Sequence, residues 1–209
     1  DTSVSRGLGD VYKRQDTFYF GHPLIEAISS HKINNSFLSE NNIPNNKPVI
    51  AFLPGSRTQE IKTMLPIFLS IISDYPNYNF VIAGVNNVDP KLYNLTAYSN
   101  LFIIYNKTYD LLTNSFAAIV TSGTASLECS LFKVPQLVCY KTSFVSFLIG
   151  KLFVKIRHIS LVNIILEKDI IKELIQDDLN KKNLSYEFNK LCREEKRSKI
   201  IQEYSKIYD

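Results

Sequence analysis

The stretch 117-AAIVTSGTASLECSLF-132 changes character twice. An apolar run, 117-AAIV-120, stops at Thr-Ser-Gly-Thr, and a helical pattern carrying one carboxylate, Glu128, follows at once. A short apolar run bounded by small polar residues is the pattern of a strand buried on both faces, here 117-AAIVT-121. A strand that turns through glycine directly into a helix is half of a βαβ unit.

The alternation continues on both sides. The runs 49-VIAFLP-54, 79-NFVIAG-84, 101-LFIIYN-106 and 136-QLVCYK-141 read as further strands. Between the first two, 58-TQEIKTMLPIFLSIISDY-75 places apolar residues at 61, 64, 65, 68, 69, 71 and 72, a helical spacing. Pro66 inside it predicts a kink or the meeting of two helices. Residues 90–99, 108–115 and 123–132 read as the remaining helices of the series. Buried strands alternating with helices predict an α/β fold, a Rossmann-like doubly wound parallel sheet of about five strands. That domain is expected over 49–180, preceded by a connecting segment at 16–48 that ends in the turn-rich 41-NNIPNNKP-48. From about residue 142 the pattern becomes mostly helical, and 181–209 predicts charged amphipathic C-terminal helices. The first fifteen residues, DTSVSRGLGDVYKRQ, show no apolar period and are set aside as a tail, either native or foreign to the natural gene.

The 209 residues are 45% apolar and 21% charged, the balance of a globular chain rather than a disordered one. A net charge of +4 suits a phosphorylated ligand or an anionic membrane, and is too weak to indicate nucleic acid. Cys129, Cys139 and Cys192 are widely spaced and form no CxxC pair, which argues against a disulfide framework and a zinc site and for a reducing, cytoplasmic setting. No apolar run reaches the roughly 18 residues of a membrane span. His22, His31 and His158 are scattered, so no Ser/His/Asp arrangement can be assembled. Neither GxxxxGK[ST] nor GxGxxG occurs, which disfavours a nicotinamide cofactor, and no metal or other cofactor is expected.

Open parallel sheets bind ligands beyond the carboxyl ends of their strands. Two loops fall there. In 53-LPGSRTQEI-61, Gly55 permits close backbone approach, Ser56 can cap the helix or donate to an oxyanion, and Arg57 offers a fork suited to phosphate. Glu60 can orient Arg57 or simply favour the first helical turn. In 122-SGT-124 the chain again enters a helix, whose unpaired N–H groups attract anions. Glu128, four residues after Thr124, can accept hydrogen bonds from a ribose diol. The plain reading of both loops is ordinary helix capping with a surface arginine and a solvated glutamate. Two such loops on one sheet edge favour a nucleoside diphosphate. The stretch 144-FVSFLIGKLFVKIRH-158 places Phe144 and Phe147 on one helical face and Lys151 and Lys155 on another. That pattern suits a helix lying on an anionic membrane, or one packed in the core with its lysines in water.

The pieces 20-FGHPLIE-26, 53-LPGSRTQEI-61, 121-TSGTASLECSLFKVPQLVCYKTS-143 and 159-ISLVNIILEKDIIKELIQDDL-179 stand in one order and spacing. Together they resemble lipid-A-disaccharide synthase, a membrane-associated glycosyltransferase of the GT-B fold. The resemblance covers roughly residues 17–180; 160-SLVN-163 departs from the more usual Ser-Leu-Pro-Asn but keeps the Asn. It implies the carboxy-terminal, donor-binding half of a two-domain enzyme, with 20-FGHPLIE-26 resembling the hinge. The implied reaction transfers 2,3-diacylglucosamine from UDP to 2,3-diacylglucosamine 1-phosphate at the cytoplasmic face of the inner membrane. Arg57 and the Ser122-Gly123-Thr124 helix start would stabilise the departing diphosphate, Glu128 would hold the ribose, Asn163 would lie near the donor, and Tyr140 and Lys141 would line the cleft. The general base would come from the amino-terminal domain. Two alternatives stand beside this reading: another UDP-sugar transferase or epimerase, and a non-catalytic module that recognises phosphate or membrane.

Overall fold

The computed structural model describes residues 24, 27, 28, 30–93, 98–142 and 158–207. The strands are β1 (Val49–Leu53), β2 (Asn79–Gly84), β3 (Leu101–Tyr105), β4 (Ala117–Thr121), β5 (Gln136–Tyr140) and β6 (Lys172–Ile175). All pairings are parallel, in the order β3-β2-β1-β4-β5-β6. Among the described residues the sheet thus has six strands rather than the five or so expected. The sixth, 172-KELI-175, is an edge strand in which Leu174 alone is fully buried, so it has no apolar run to betray it.

The helices are α1 (Phe37–Glu40), α2 (Thr58–Leu69), α3 (Thr108–Thr113), α4 (Thr124–Leu131), α5 (Leu161–Ile165), α6 (Lys181–Leu191) and α7 (Glu194–Tyr204). Helix α2 runs through Pro66 without dividing; a separate 3-10 turn, Ile72–Asp74, follows it. Pro66 and Lys62, whose carbonyl a residue-66 N–H would otherwise meet, are both exposed, so the proline falls on the solvent face of the helix. The buried face of α2 is Ile61, Met64, Leu65 and Phe68. The helix expected at 90–99 is described only as a 3-10 turn, Pro90–Tyr93, with 94–97 outside the described residues.

Strands β1, β2 and β4 are buried along their whole length, because helices cover both faces of the sheet. The C-terminal pair joins the same core. Phe188 of α6 meets Tyr75 edge-on at 4.8 Å between ring centroids. Tyr204 of α7 is fully buried, and its hydroxyl accepts a bond from Gln136 Nε2 on β5 at 3.2 Å. Burial raises the thiols of Cys129 and Cys139 far above the usual range, so they act as small apolar residues. Among the described residues, no helix is long and apolar enough to cross a membrane. Phe144, Phe147, Lys151 and Lys155 lie outside the described residues.

Candidate functional site

Chain order reverses between β1 and β4, and a crevice opens beyond their carboxyl ends. A cavity of about 370 Å³ lies there. From the β1 side it is lined by Gly55, Ser56, Arg57 and Glu60. From the β4 side come Thr121, Ser122, Gly123, Thr124 and Glu128. The two loops picked out from sequence therefore face each other across one cavity.

The β1 side already holds an anion of its own. Glu60 Oε2 accepts bonds from the N–H groups of Ser56 and Arg57, at 3.1 and 3.3 Å. Its Oε1 accepts from Arg57 Nη1 at 3.1 Å. The N-cap residue of α2 is Arg57 rather than Ser56, and Glu60 closes the first turn from within the helix. The amide protons expected to face a ligand are thus occupied. Gly55 has φ +108, and a Cβ there would stand 2.5 Å from Glu60 Oε2, so the tight turn and the close carboxylate both require glycine. The Arg57 side chain is 83% exposed and extends over the cavity mouth.

The β4 side is open. Gly123, the N-cap of α4, adopts φ 148 and ψ -160, a conformation essentially confined to glycine. Among the described residues no side chain caps this helix; the Ser126 N–H turns back to Gly123 O at 3.2 Å, and Thr124 and Ala125 line the cavity with their N–H groups uncapped. The Ser122 hydroxyl donates to Ile159 O at 2.9 Å, so a ligand can use its lone pairs but not its proton. Glu128 is half-buried, and burial alone raises its carboxyl above the ordinary range. No hydrogen bond or ion pair holds it among the described residues. Nearby, the Tyr109 phenol is raised first by its own burial and then by the Glu128 charge.

Tyr140 is half-buried at the end of β5 and Lys141 is exposed, and neither lines this cavity. Asn163 does not reach it either. Its Nδ2 donates to Ile171 O and to Glu173 Oε1, both at 2.9 Å. Its Oδ1 accepts from the N–H groups of Ile170 and Ile171 at 2.9 and 3.0 Å. The amide is therefore saturated and fully buried. Glu173 also accepts from the N–H groups of Ile159 and Ser160 and from the Ser160 hydroxyl. Through Ile159, which receives the Ser122 proton, this network braces the open loop from behind. Glu173 escaped sequence reasoning because β6 did. Thr121 escaped it because it read as the last residue of a strand. Among the described residues no group of His, Cys, Asp and Glu side chains is arranged to hold a metal.

Fold and cavity together define a Rossmann-like domain of the GT-B type. Its solved likenesses include a glycosyltransferase involved in lipopolysaccharide biosynthesis, with a TM-score of 0.52 at 13% identity over 83% of this chain and 46% of that one. Another is the UDP-GlcNAc 2-epimerase of Neisseria meningitidis bound to UDP-GlcNAc, with a TM-score of 0.54 at 18% identity over 88% of this chain and 49% of the other. At such identities the likeness is one of fold. Sequence goes further. The family model for lipid-A-disaccharide synthetase matches residues 9–208. The lipid-A-disaccharide synthase of Sulfurihydrogenibium sp. is 36% identical over 78% of this chain and 46% of its own length. That of Francisella philomiragia is 32% identical over 96% of this chain and 56% of its own. The chain belongs to the lipid-A-disaccharide synthase family of glycosyltransferases, and spans about half the length of the curated relatives it matches.

Proposed function

We propose that this chain is the donor-binding half of a lipid-A-disaccharide synthase, holding UDP-2,3-diacylglucosamine for transfer to 2,3-diacylglucosamine 1-phosphate with release of UDP. The observation that carries the reading is the cavity between β1 and β4, which sets an uncapped helix start opposite Arg57 with the unpaired Glu128 carboxylate in its wall. A departing diphosphate needs fixed donors and positive charge where its negative charge grows. The α4 N–H groups at Gly123 and Thr124 and the Arg57 guanidinium supply them. Glu128 accepts the ribose hydroxyls. Gly55, Ser56 and Glu60 shape the loop that carries Arg57. Tyr140 and Asn163 act on the donor indirectly, Asn163 by fixing Glu173 and the loop behind Ser122. The base that deprotonates the acceptor hydroxyl belongs to the other half of the enzyme, so this half alone binds donor without turning it over. On this reading both substrates carry acyl chains, so the enzyme acts at the cytoplasmic face of the inner membrane and 144–158 is the segment proposed to meet lipid.

Titrating UDP and uridine into the folded chain by calorimetry tests the reading. UDP binds, and Arg57→Ala weakens UDP more than uridine. Absence of heat at millimolar UDP, with the fold intact, would rule the reading out. Competition by UDP-GlcNAc as strong as by the acylated donor would point instead to another UDP-sugar enzyme. Flotation with anionic vesicles, with and without 144–158, tests the membrane contact.

A further inference from the structure

Four hydroxyl-bearing residues in and just before α4 have different fates. Ser122 Oγ donates to Ile159 O, Ser126 Oγ to Gly123 O at 2.9 Å, and Ser130 Oγ to Leu127 O at 2.7 Å. Thr121 is only 7% exposed, yet its Oγ1 is a buried atom with no hydrogen-bond partner among the described residues. Buried hydroxyls in native proteins are nearly always bonded, and an exception calls for a reason. Thr121 also lines the cavity, at the carboxyl end of β4 directly before the uncapped helix start.

We propose that the Thr121 hydroxyl is a donor to the ligand's diphosphate, the role that sequence alone would give to Ser122. The inference rests on the nucleotide reading above and adds a residue to it. An oxyanion needs protons, and the Ser122 proton is committed to Ile159 while the Thr121 proton is not. Oγ1 is itself buried, while the residue lines the cavity, so a turn about χ1 to another staggered position is the motion that would present the proton to an anion seated there. The bond is then made only when the anion is there, and the fold does not depend on it.

That separation gives the test. Thr121→Val keeps the branched shape and removes the hydroxyl; Thr121→Ser keeps the hydroxyl. UDP, uridine and inorganic pyrophosphate are titrated into each full-length variant, and each variant is melted without ligand. We expect Thr121→Val to weaken UDP about tenfold, the size of effect that losing a bond to a charged group brings. Uridine affinity stays unchanged, the melting temperature stays at or above that of the parent, and Thr121→Ser binds as the parent does. Unchanged UDP affinity in Thr121→Val overturns the proposal, as does an equal loss for UDP and uridine. A clear fall in melting temperature also overturns it, because the hydroxyl would then be satisfied inside the fold. If the parent binds pyrophosphate but not UDP, the nucleotide reading fails, and the Thr121→Val response to pyrophosphate decides the hydroxyl's role separately. If the parent binds neither, both fail.

Discussion

Two helices begin at the same cavity, and they treat their N-termini in opposite ways. At α2 the exposed amides are bonded by Glu60 from the first turn of the same helix. At α4 no side chain does this, and the N-cap is a glycine. A helix start left uncapped forgoes about 1 kcal/mol that a side-chain cap would contribute. The first start is therefore built for stability and the second for an incoming group. The difference lies in one carboxylate, and it explains why two loops that look alike in sequence differ in chemistry. It also assigns Arg57 to the mouth of the cavity rather than its floor, since its own amide is used and its guanidinium is exposed and tied to Glu60 alone among the described residues.

The comparison breaks first at the glycines. Gly55→Ala combines a left-handed backbone with a methyl placed on Glu60, and should cost about 2–4 kcal/mol in urea unfolding, strain plus a lost cap. Gly123→Ala carries the strain alone, because a Cβ there meets nothing within 4 Å, and should cost about 1–3 kcal/mol. Equal losses at both positions would mean that Glu60 is no part of the first start. Removing the carboxylate directly, by Glu60→Ala, should cost about 1 kcal/mol.

Glu128 gives a smaller effect of opposite sign. Burial raises its carboxyl in the folded state above its unfolded value. The folded protein therefore holds the proton more tightly. The group favours folding below the unfolded pKa, and that advantage is lost as pH rises through the folded pKa. Glu128→Gln should melt above the parent at neutral pH, and the gap should close as pH falls below the ordinary carboxylate range. A gap that does not change with pH would show that folding leaves the carboxyl unshifted, and a gap that turns in favour of Glu128 as pH rises would show that the carboxylate is paired. Smallest in stability is Arg57→Ala, worth under about 0.5 kcal/mol because the pair with Glu60 is exposed. Its effect should appear instead as roughly a tenfold loss of UDP affinity.

Much of the sheet was legible because strands covered on both faces must be apolar throughout. For β4 the expected and observed bounds coincide at Ala117 and Thr121. Strand β6 was not legible, since an edge strand keeps Lys172 and Glu173 in its short run and has only Leu174 and Ile175 as apolar residues. The site was legible as two loops, because Gly followed by small polar residues at a strand end is a local signal. Part of the Glu60 cap was visible too, in the three-residue spacing of 57-RTQE-60. The partner of Ser122 was not, because Ile159 is remote in sequence and no local rule predicts it. Asn163 was misplaced for the same reason: its four bonds go to residues on and before an unrecognised strand.

The seam between β1 and β4 has a kinetic side. Ile50 lies beside Ala117, and β2, β3 and four described helical segments intervene along the chain. Closing that pairing spans a long loop, the kind of contact that slows folding. Strands β1 to β3 can associate earlier without forming any cavity. A ligand seated at the seam thus has nothing to bind in a partly folded chain, and stabilises only the finished sheet. Its appearance during refolding would time that long-range step, making the binding signal a clock for closure of the seam.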